Sequence, residues 1–125
     1  MPGPRKLIPI YTSSGVLGAY LVYPYLYNPD GEWIGWVTAE REVYSVHGHF
    51  AGILTREPRI LRKREASHDK ARLQPPQAPA RIRPPAHAPL APPMPELTNS
   101  QIDILDEPLQ YLPPLDFGEL RDDLD

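Results

Sequence analysis

The sequence predicts an all-β fold, a small closed or nearly closed β-repeat domain of four quasi-equivalent hairpin-like units, followed by a disordered proline-rich tail. Two observations predict it. A twelve-residue pattern recurs three times without gaps in the first half of the chain. Of the 18 prolines, 12 lie after residue 64, whereas nine of the 11 aromatic residues lie before residue 51. The first half therefore has the composition of a folded domain, and the second half has that of an appendage.

Each copy of the repeat begins at a tyrosine, at Tyr11, Tyr27 and Tyr44, so the spacings are 16 and 17 residues. The copies are YTSSGVLGAYLV, YNPDGEWIGWVT and YSVHGHFAGILT. Each has a glycine four residues after its tyrosine, and a residue with little or no side chain four residues further on. Because one hairpin of this length is marginal in water, the units must pack on one another.

The glycine that follows each tyrosine predicts a hairpin turn. In Asn28-Pro29-Asp30-Gly31, proline suits the first central position of a type I turn, and Asn28 can hydrogen-bond its own turn backbone. Gly31 can then take the left-handed conformation that closes the hairpin. The segments TSSG and SVHG offer the same chemistry, with a hydroxyl in the first place.

Strand alternation sorts the residues after each turn into two faces. The face predicted to form the core is apolar or glycine throughout. It holds Leu17, Trp33, Phe50, Ala19, Gly35, Gly52, Leu21, Val37 and Leu54. We expect the large side chain of one unit to lie over the glycine of its neighbour, since an interior strand glycine marks a close approach. The other face is mixed and carries Tyr20, Trp36 and Ile53 at equivalent positions.

A fourth unit begins at Arg59-Ile60-Leu61, 17 residues after Glu42-Val43-Tyr44, but it lacks both glycines. Residues Leu7-Ile8 are candidates for a missing outer strand. The predicted β-repeat domain therefore runs over residues 7–64, after a flexible N-terminus of residues 1–6.

The units resemble a bacterial family, the four-fold β-flower domain, whose short repeat reads tyrosine, turn, glycine, three residues, glycine, aromatic. The resemblance spans about residues 7–64 and implies four hairpin-like units around a pseudo-four-fold axis. It implies no activity, catalytic residue or cofactor. The fourth unit departs from the pattern, because RILRKRE keeps the strand and lacks the turn.

The second half divides into two segments. Residues 65–95 are dominated by alanine, proline and arginine, which predicts a semi-extended linker. Residues 96–125 form an acidic-hydrophobic segment in which Thr98 and Gln101 make a capping-box pattern for a two-turn helix ending near Pro108, and Asp116 is a cap for a second. Helices this short order only against a surface. The candidate docking residues are Ile102, Leu105, Leu109, Tyr111, Leu112, Leu115, Phe117 and Leu120.

Three interpretations of this docking segment stay open. It binds a partner protein, it packs on the β domain of its own chain, or it is a disordered appendage. Net charge is +3 for residues 1–64, +2 for residues 65–95 and −8 for residues 96–125, so docking on the own domain is electrostatically reasonable.

Several function classes find little support. The chain has no cysteine, and no window approaches the roughly 20 apolar residues of a spanning helix. We expect a soluble, cytoplasmic protein without a signal peptide, because Pro9 and Gly15 interrupt the apolar start. His47 and His49 lack a third ligand, so we predict no metal site, and no residue set predicts catalysis or a cofactor. The cations of residues 59–64 indicate a charged edge strand that discourages aggregation, so we expect no nucleic-acid binding.

The sequence thus favours a non-catalytic protein-protein interaction or scaffold protein, in which the β-repeat domain is tethered to a short docking segment. The alternative is a carbohydrate- or peptide-binding module whose outer face presents Tyr20, Trp36 and Ile53 as a ligand face. If that face is covered, the same three residues belong to a second core layer or to a contact between copies of the chain.

Overall fold

A computed structural model describes residues 6–64 and 70–115. Eight strands form one antiparallel sheet in chain order, curled into a half-barrel. The strands are β1 Ile8–Tyr11, β2 Leu17–Val22, β3 Tyr25–Tyr27, β4 Trp33–Val37, β5 Glu42–Ser45, β6 Phe50–Leu54, β7 Ile60–Lys63 and β8 Gln101–Asp103. A 3₁₀ helix, Ile104–Asp106, and a one-turn helix α1, Pro108–Tyr111, follow β8. The predicted all-β class is confirmed.

The first three hairpins, β1-β2, β3-β4 and β5-β6, are built on the three predicted turns. The backbone N–H of Gly31 donates to the carbonyl oxygen of Asn28 at 2.9 Å, and Gly31 has a φ of +89°. The side chain of Asn28 accepts the N–H of Glu32 at 2.9 Å, which satisfies the turn from within. Gly15 and Gly48 take the same conformation, with φ of +87° and +89°. A side chain there would be strained, so glycine is favoured at all three turns.

The fourth hairpin has no short turn. Strand β7 pairs with β8, so that Leu61 faces Asp103 and Lys63 faces Gln101, and residues 64–100 connect the two strands. Residues Leu7-Ile8 do not supply the partner strand of the fourth unit. Ile8 instead starts β1, where it faces Leu21 in β2.

The predicted two-turn helix after Thr98 is wrong, because residues 101–103 form a strand. One of the two capping bonds forms, since Gln101 Oε1 accepts the N–H of Thr98 at 3.2 Å, whereas the N–H of Gln101 donates to the backbone carbonyl of Thr98 at 3.1 Å. Both hydrogen bonds close a turn before β8 instead of opening a helix. The open edge of β7 offers backbone partners over several residues, which a helix of two turns cannot match. The helix predicted after Asp116 lies outside the described residues.

The face assigned to Leu17, Trp33 and Phe50 is also wrong, because each of the first three hairpins contains a β-bulge. In the second hairpin Leu26 faces Gly35 and Tyr27 faces Trp33, which leaves Ile34 without a partner. One extra residue in a strand moves every side chain that precedes it in that strand to the opposite face of the sheet. The large residue of each unit therefore lies on the opposite face from its glycine, and Trp33 packs with Trp36, Tyr44 and Phe50 in an aromatic cluster.

The main core lies on the face that carries the small residues, and the C-terminal segment covers it. Ile104, Leu105 and Leu112 are at most 4% exposed and belong to the main apolar cluster. Each fills the space over one glycine. A Cβ on Gly18 would lie 2.8 Å from Leu105, a Cβ on Gly35 would lie 3.3 Å from Leu112, and a Cβ on Gly52 would lie 3.2 Å from Ile104. The closest approach to Gly35 and Gly52 is made by the backbone of the neighbouring unit, because a Cβ there would collide with the carbonyl oxygen of Tyr44 or lie 2.7 Å from that of Leu61. The large side chain of the neighbouring unit does not lie over the glycine, and the C-terminal segment covers it instead.

Candidate protein-interaction surface

The structure divides the eight predicted docking residues. Leu105 and Leu112 are buried, and Ile102 and Tyr111 are half-buried against the same apolar cluster. These four side chains pack on the sheet of their own chain, to which the segment is already tethered. Leu109 and Leu115 are 55% and 45% exposed. Phe117 and Leu120 lie outside the described residues.

The candidate ligand face is mostly covered. Tyr20 is 2% exposed and Trp36 is 8% exposed, whereas Ile53 is 41% exposed. The ring of Trp36 stacks on that of Tyr44 with 5.4 Å between centroids. Of the three side chains only Ile53 is accessible to a ligand, so they do not form an open aromatic face.

A buried polar network joins the two ends of the curled sheet. Ser13, in the first turn, donates its backbone N–H and its hydroxyl to Asp103 Oδ2, at 2.6 and 2.7 Å. The same hydroxyl accepts a hydrogen bond from Arg59 at 2.9 Å. Arg59 and Asp103 are each 3% exposed. Because every partner here is hydrogen-bonded, the network ties the two ends of the sheet together.

Arg59 also holds the loop before β7. Its Nε lies 3.2 Å from Glu57 Oε2, and it donates to the carbonyl oxygen of Pro95 at 3.1 Å. Hydrogen bonding from Thr55, and secondarily from Arg59, lowers the pKa of the Glu57 carboxyl. The guanidinium therefore ties the start of the fourth unit to the chain segment that precedes β8.

Residues 70–97, which we name the strap, contain no helix or strand and run along the turns. The N–H of Leu73 donates to the carbonyl oxygen of Gly48 at 3.0 Å, and the N–H of Ile82 donates to that of Gly31 at 3.0 Å. The Cβ of Ala91 lies next to Gly15. The segment predicted as a linker from its composition thus also forms specific contacts with the folded units.

An apolar groove of about 230 Å³ lies between the first two turns and the residues that follow the 3₁₀ helix. Its floor is formed by Ile34, Leu105 and Leu112, which are at most 4% exposed. Val16 and Leu109, at 61% and 55% exposed, form its rim. None of the twelve described residues that line it is charged.

An acidic cluster stands beside this groove. Asp106 and Glu107 are exposed and immediately precede Pro108 and Leu109, which line the groove. Partial desolvation of the Asp106 carboxyl, and then the negative charges of Asp103 and Glu107, raise its pKa. Asp103, Asp106 and Glu107 line a separate pocket together with Arg64, so the described charges next to the α1 end of the groove are net negative.

Within residues 6–64 and 70–115, the histidines and carboxylates form no group of three that could hold a metal ion. Among the described helices, none has the length and apolar character to cross a bilayer.

Sequence reasoning missed two contributors to this surface. Val16 was missed because the equivalent positions of the other units hold Glu32 and His49, so no apolar pattern marks it. The strap contacts were missed because composition alone suggested a spacer. A signal did exist: RLQPP and RIRPP recur nine residues apart, at residues 72–76 and 81–85.

A family model described as "4-fold beta flower protein" matches residues 8–109. The match continues past residue 64, through the strap and β8 to the start of α1, so the fourth hairpin and the segment that connects its strands lie within it. No curated protein and no solved structure matches the chain.

Proposed function

Since this chain belongs to the 4-fold beta flower protein family, we propose that it is a non-catalytic protein-interaction module whose apolar groove binds a partner protein. The single observation that carries the proposal is the uncharged groove with its exposed rim of Val16 and Leu109. Exposed apolar residues that converge on one concave feature commonly mark recognition surfaces.

The size of the groove favours a side chain over a small molecule. Its volume is about 230 Å³, whereas pockets for drug-sized ligands typically hold about 300–1,000 Å³. A buried apolar anchor from a protein partner is a common way to fill such a space, and the residues around the anchor exclude water. We therefore assign the groove to one or two aliphatic side chains of a partner segment.

The charges beside the groove specify the rest of the partner. Asp106 and Glu107 present carboxylates at the α1 end, and the groove itself holds no charge among its described lining residues. Complementary charge chiefly speeds association and excludes wrong partners. We therefore propose a partner segment with an aliphatic anchor followed by lysine or arginine. Bacterial origin and cytoplasmic location stay predictions.

Peptide selection on the full-length chain tests the proposal. A phage-displayed peptide library is selected on the wild-type protein alone, and the recovered peptides are then measured for binding to the Val16→Glu variant. Val16 is 61% exposed, so the substitution leaves folding intact, but it places a charge at the rim. We expect the recovered peptides to combine an aliphatic anchor with basic residues and to bind Val16→Glu at least about tenfold more weakly, as loss of a central anchor does.

Ile53→Glu is the matched control, because Ile53 is an exposed aliphatic residue outside the groove. It should leave peptide binding unchanged. Recovered peptides that bind wild type, Val16→Glu and Ile53→Glu with equal affinity would overturn the groove as the binding site. Enrichment of acidic peptides would overturn the assigned partner chemistry.

A further inference from the structure

The strap meets the units with a regular period. Its contacts with the third, second and first turns are made by Leu73, Ile82 and Ala91, which are nine residues apart. The surrounding sequence repeats at the same interval, as RLQPP at residues 72–76 and RIRPP at residues 81–85. A repeat in the strap therefore follows a repeat in the sheet, in the reverse chain order.

Each full contact has the same two hydrogen bonds. At the second turn, Ile82 donates its N–H to the carbonyl oxygen of Gly31 at 3.0 Å, and Arg81 donates to that of Asp30 at 3.1 Å. At the third turn, Leu73 donates to Gly48 at 3.0 Å and Arg72 donates to His47. All the acceptors are turn carbonyls, so the turns recognise an Arg-aliphatic dipeptide through backbone atoms that the turn conformation fixes.

The turn glycines also leave room for the strap backbone. A Cβ on Gly31 would collide with the carbonyl oxygen of Ile82, and a Cβ on Gly48 would collide with that of Leu73. Gly31 and Gly48 are buried beneath the strap. Such close backbone approach is a reason for glycine that is independent of the turn conformation.

The first turn has the same backbone conformation, but the strap contacts it less closely. Leu90 stands at the position of Arg72 and Arg81, and it is 96% exposed. Gly15 is exposed, and a Cβ there would make only an ordinary contact, 3.7 Å from Ala91. Two of the three turns therefore bind a complete Arg-aliphatic dipeptide.

The strap buries little of its own surface. Leu73 is 37% exposed, Ile82 is half-buried against the aromatic cluster, and the arginines are exposed. A segment held by a few partly exposed hydrogen bonds opens at a lower free energy than the core does. The turns beneath it are then free to bind a chain of the same chemistry.

We propose that the row of turns is a peptide-binding surface for extended segments that carry Arg-aliphatic dipeptides nine residues apart, and that the strap of a second copy of this chain can replace the strap bound in cis. This surface is separate from the apolar groove. Main-chain hydrogen bonds supply affinity and the nine-residue spacing supplies specificity, as in other recognition of extended peptides.

The test uses a fluorescein-labelled synthetic peptide of residues 70–91 and two full-length proteins, wild type and Arg72→Ala/Arg81→Ala. The double variant weakens the strap in cis and leaves the turns unchanged. Since a tethered strap competes at an effective concentration of about millimolar, we expect the variant to bind the peptide at least about tenfold more tightly than wild type does. Equal binding, or no binding to either protein, would overturn the proposal.

Two altered peptides test the recognition without changing the protein. One carries Leu73→Pro and Ile82→Pro and lacks both N–H donors, and the other carries one alanine inserted after Gln77, so that the dipeptides stand ten residues apart. Both should lose at least about tenfold in affinity for the double variant. An inserted peptide that binds as well as the original would refute the spacing rule.

Hydrogen exchange on wild type supplies a second readout. An excess of unlabelled peptide should speed exchange at the Leu73 and Ile82 amides of the protein, because both lose their acceptors when the strap is displaced. Unchanged exchange at peptide concentrations that saturate the double variant would contradict replacement of the strap. Val16→Glu should bind the strap peptide as wild type does, which separates this surface from the groove.

Discussion

Asp103, in the last strand, accepts two hydrogen bonds from Ser13, in the first turn, at 2.6 and 2.7 Å, although the residues are 90 positions apart. Arg59 donates to the same serine hydroxyl at 2.9 Å. Strands β1 and β8 are the two edges of the sheet. This contact therefore joins the fourth unit to the first through the Asp103 carboxylate, beside a single backbone bond from Tyr11 to Pro58, where a closed barrel would use a backbone ladder.

Removing the carboxylate should destabilise the fold. Asp103→Ala leaves the N–H groups of Ser13 and Leu105 without their acceptor, and both currently bond to Asp103. We expect a loss of about 3 kcal/mol in the free energy of unfolding, measured in urea, and a smaller loss for Asp103→Asn. Asp30→Ala, at an exposed turn position, is the control. Wild-type stability in Asp103→Ala would show that the contact does not hold the ends together.

The turn glycines offer a matched pair. Gly15 and Gly31 have nearly the same φ, +87° and +89°, but only Gly31 lies against a strap carbonyl. Gly15→Ala should cost about 1–2 kcal/mol for the left-handed conformation. Gly31→Ala should cost more and should also speed hydrogen exchange at Ile82, because the strap must move away. Equal unfolding free energies for the two variants would contradict a role of the strap in selecting glycine.

Two leucines of the C-terminal segment should differ sharply. Leu112 is 1% exposed and Leu109 is 55% exposed. Leu112→Ala should lower the free energy of unfolding by about 2–5 kcal/mol, because it leaves a cavity in the main core. Leu109→Ala should change it by less than about 0.5 kcal/mol. Similar small effects in chemical denaturation would mean that residues 104–112 do not form part of the core in solution.

Arg41 is the one described non-glycine residue with positive φ, at 66°. Its side chain donates to the carbonyl oxygens of Leu54 and Thr55, each at 2.8 Å. Arg41→Ala removes these bonds and keeps the unfavourable backbone conformation, whereas Arg41→Gly removes the bonds and relieves it. We expect the free energy of unfolding of Arg41→Gly to be about 0.5 kcal/mol higher than that of Arg41→Ala, measured by thermal or urea unfolding. The opposite order would show that the backbone here is not strained.

Asp106 predicts a pH-dependent effect. Burial and the charges of Asp103 and Glu107 raise its pKa above the ordinary value of 3.8, so the folded state binds the proton more tightly than the unfolded state. Its contribution to stability is therefore fully present at acidic pH and is lost as the pH rises through the raised pKa. Asp106→Asn should be more stable than wild type at pH 7, and the difference should disappear below about pH 3.8. An equal difference between Asp106→Asn and wild type at pH 3 and pH 7 would contradict a raised pKa at this position.

Local chemistry explains what could be predicted from the sequence. The turn at residues 28–31 depends on Asn28, Pro29 and Gly31 alone, since its hydrogen bonds lie within the turn. Three such turns at spacings of 16 and 17 residues specify equivalent hairpins, and therefore an all-β repeat. The helix after Thr98 failed as a prediction because its residues meet the edge of β7, a partner that no local pattern records.

By itself, the sequence determined the hairpins, their number and the need for glycine at each turn, because these follow from short-range backbone geometry. Tertiary structure alone decided the faces of Trp33 and its equivalents, since a bulge reverses them without any signature in composition. It also decided that β8 completes the fourth unit, that Leu105 and Leu112 fill the space over strand glycines, and that the strap lies on the turns. The physical reason is that pairing between distant segments depends on which edges and cavities remain open after the local units have formed.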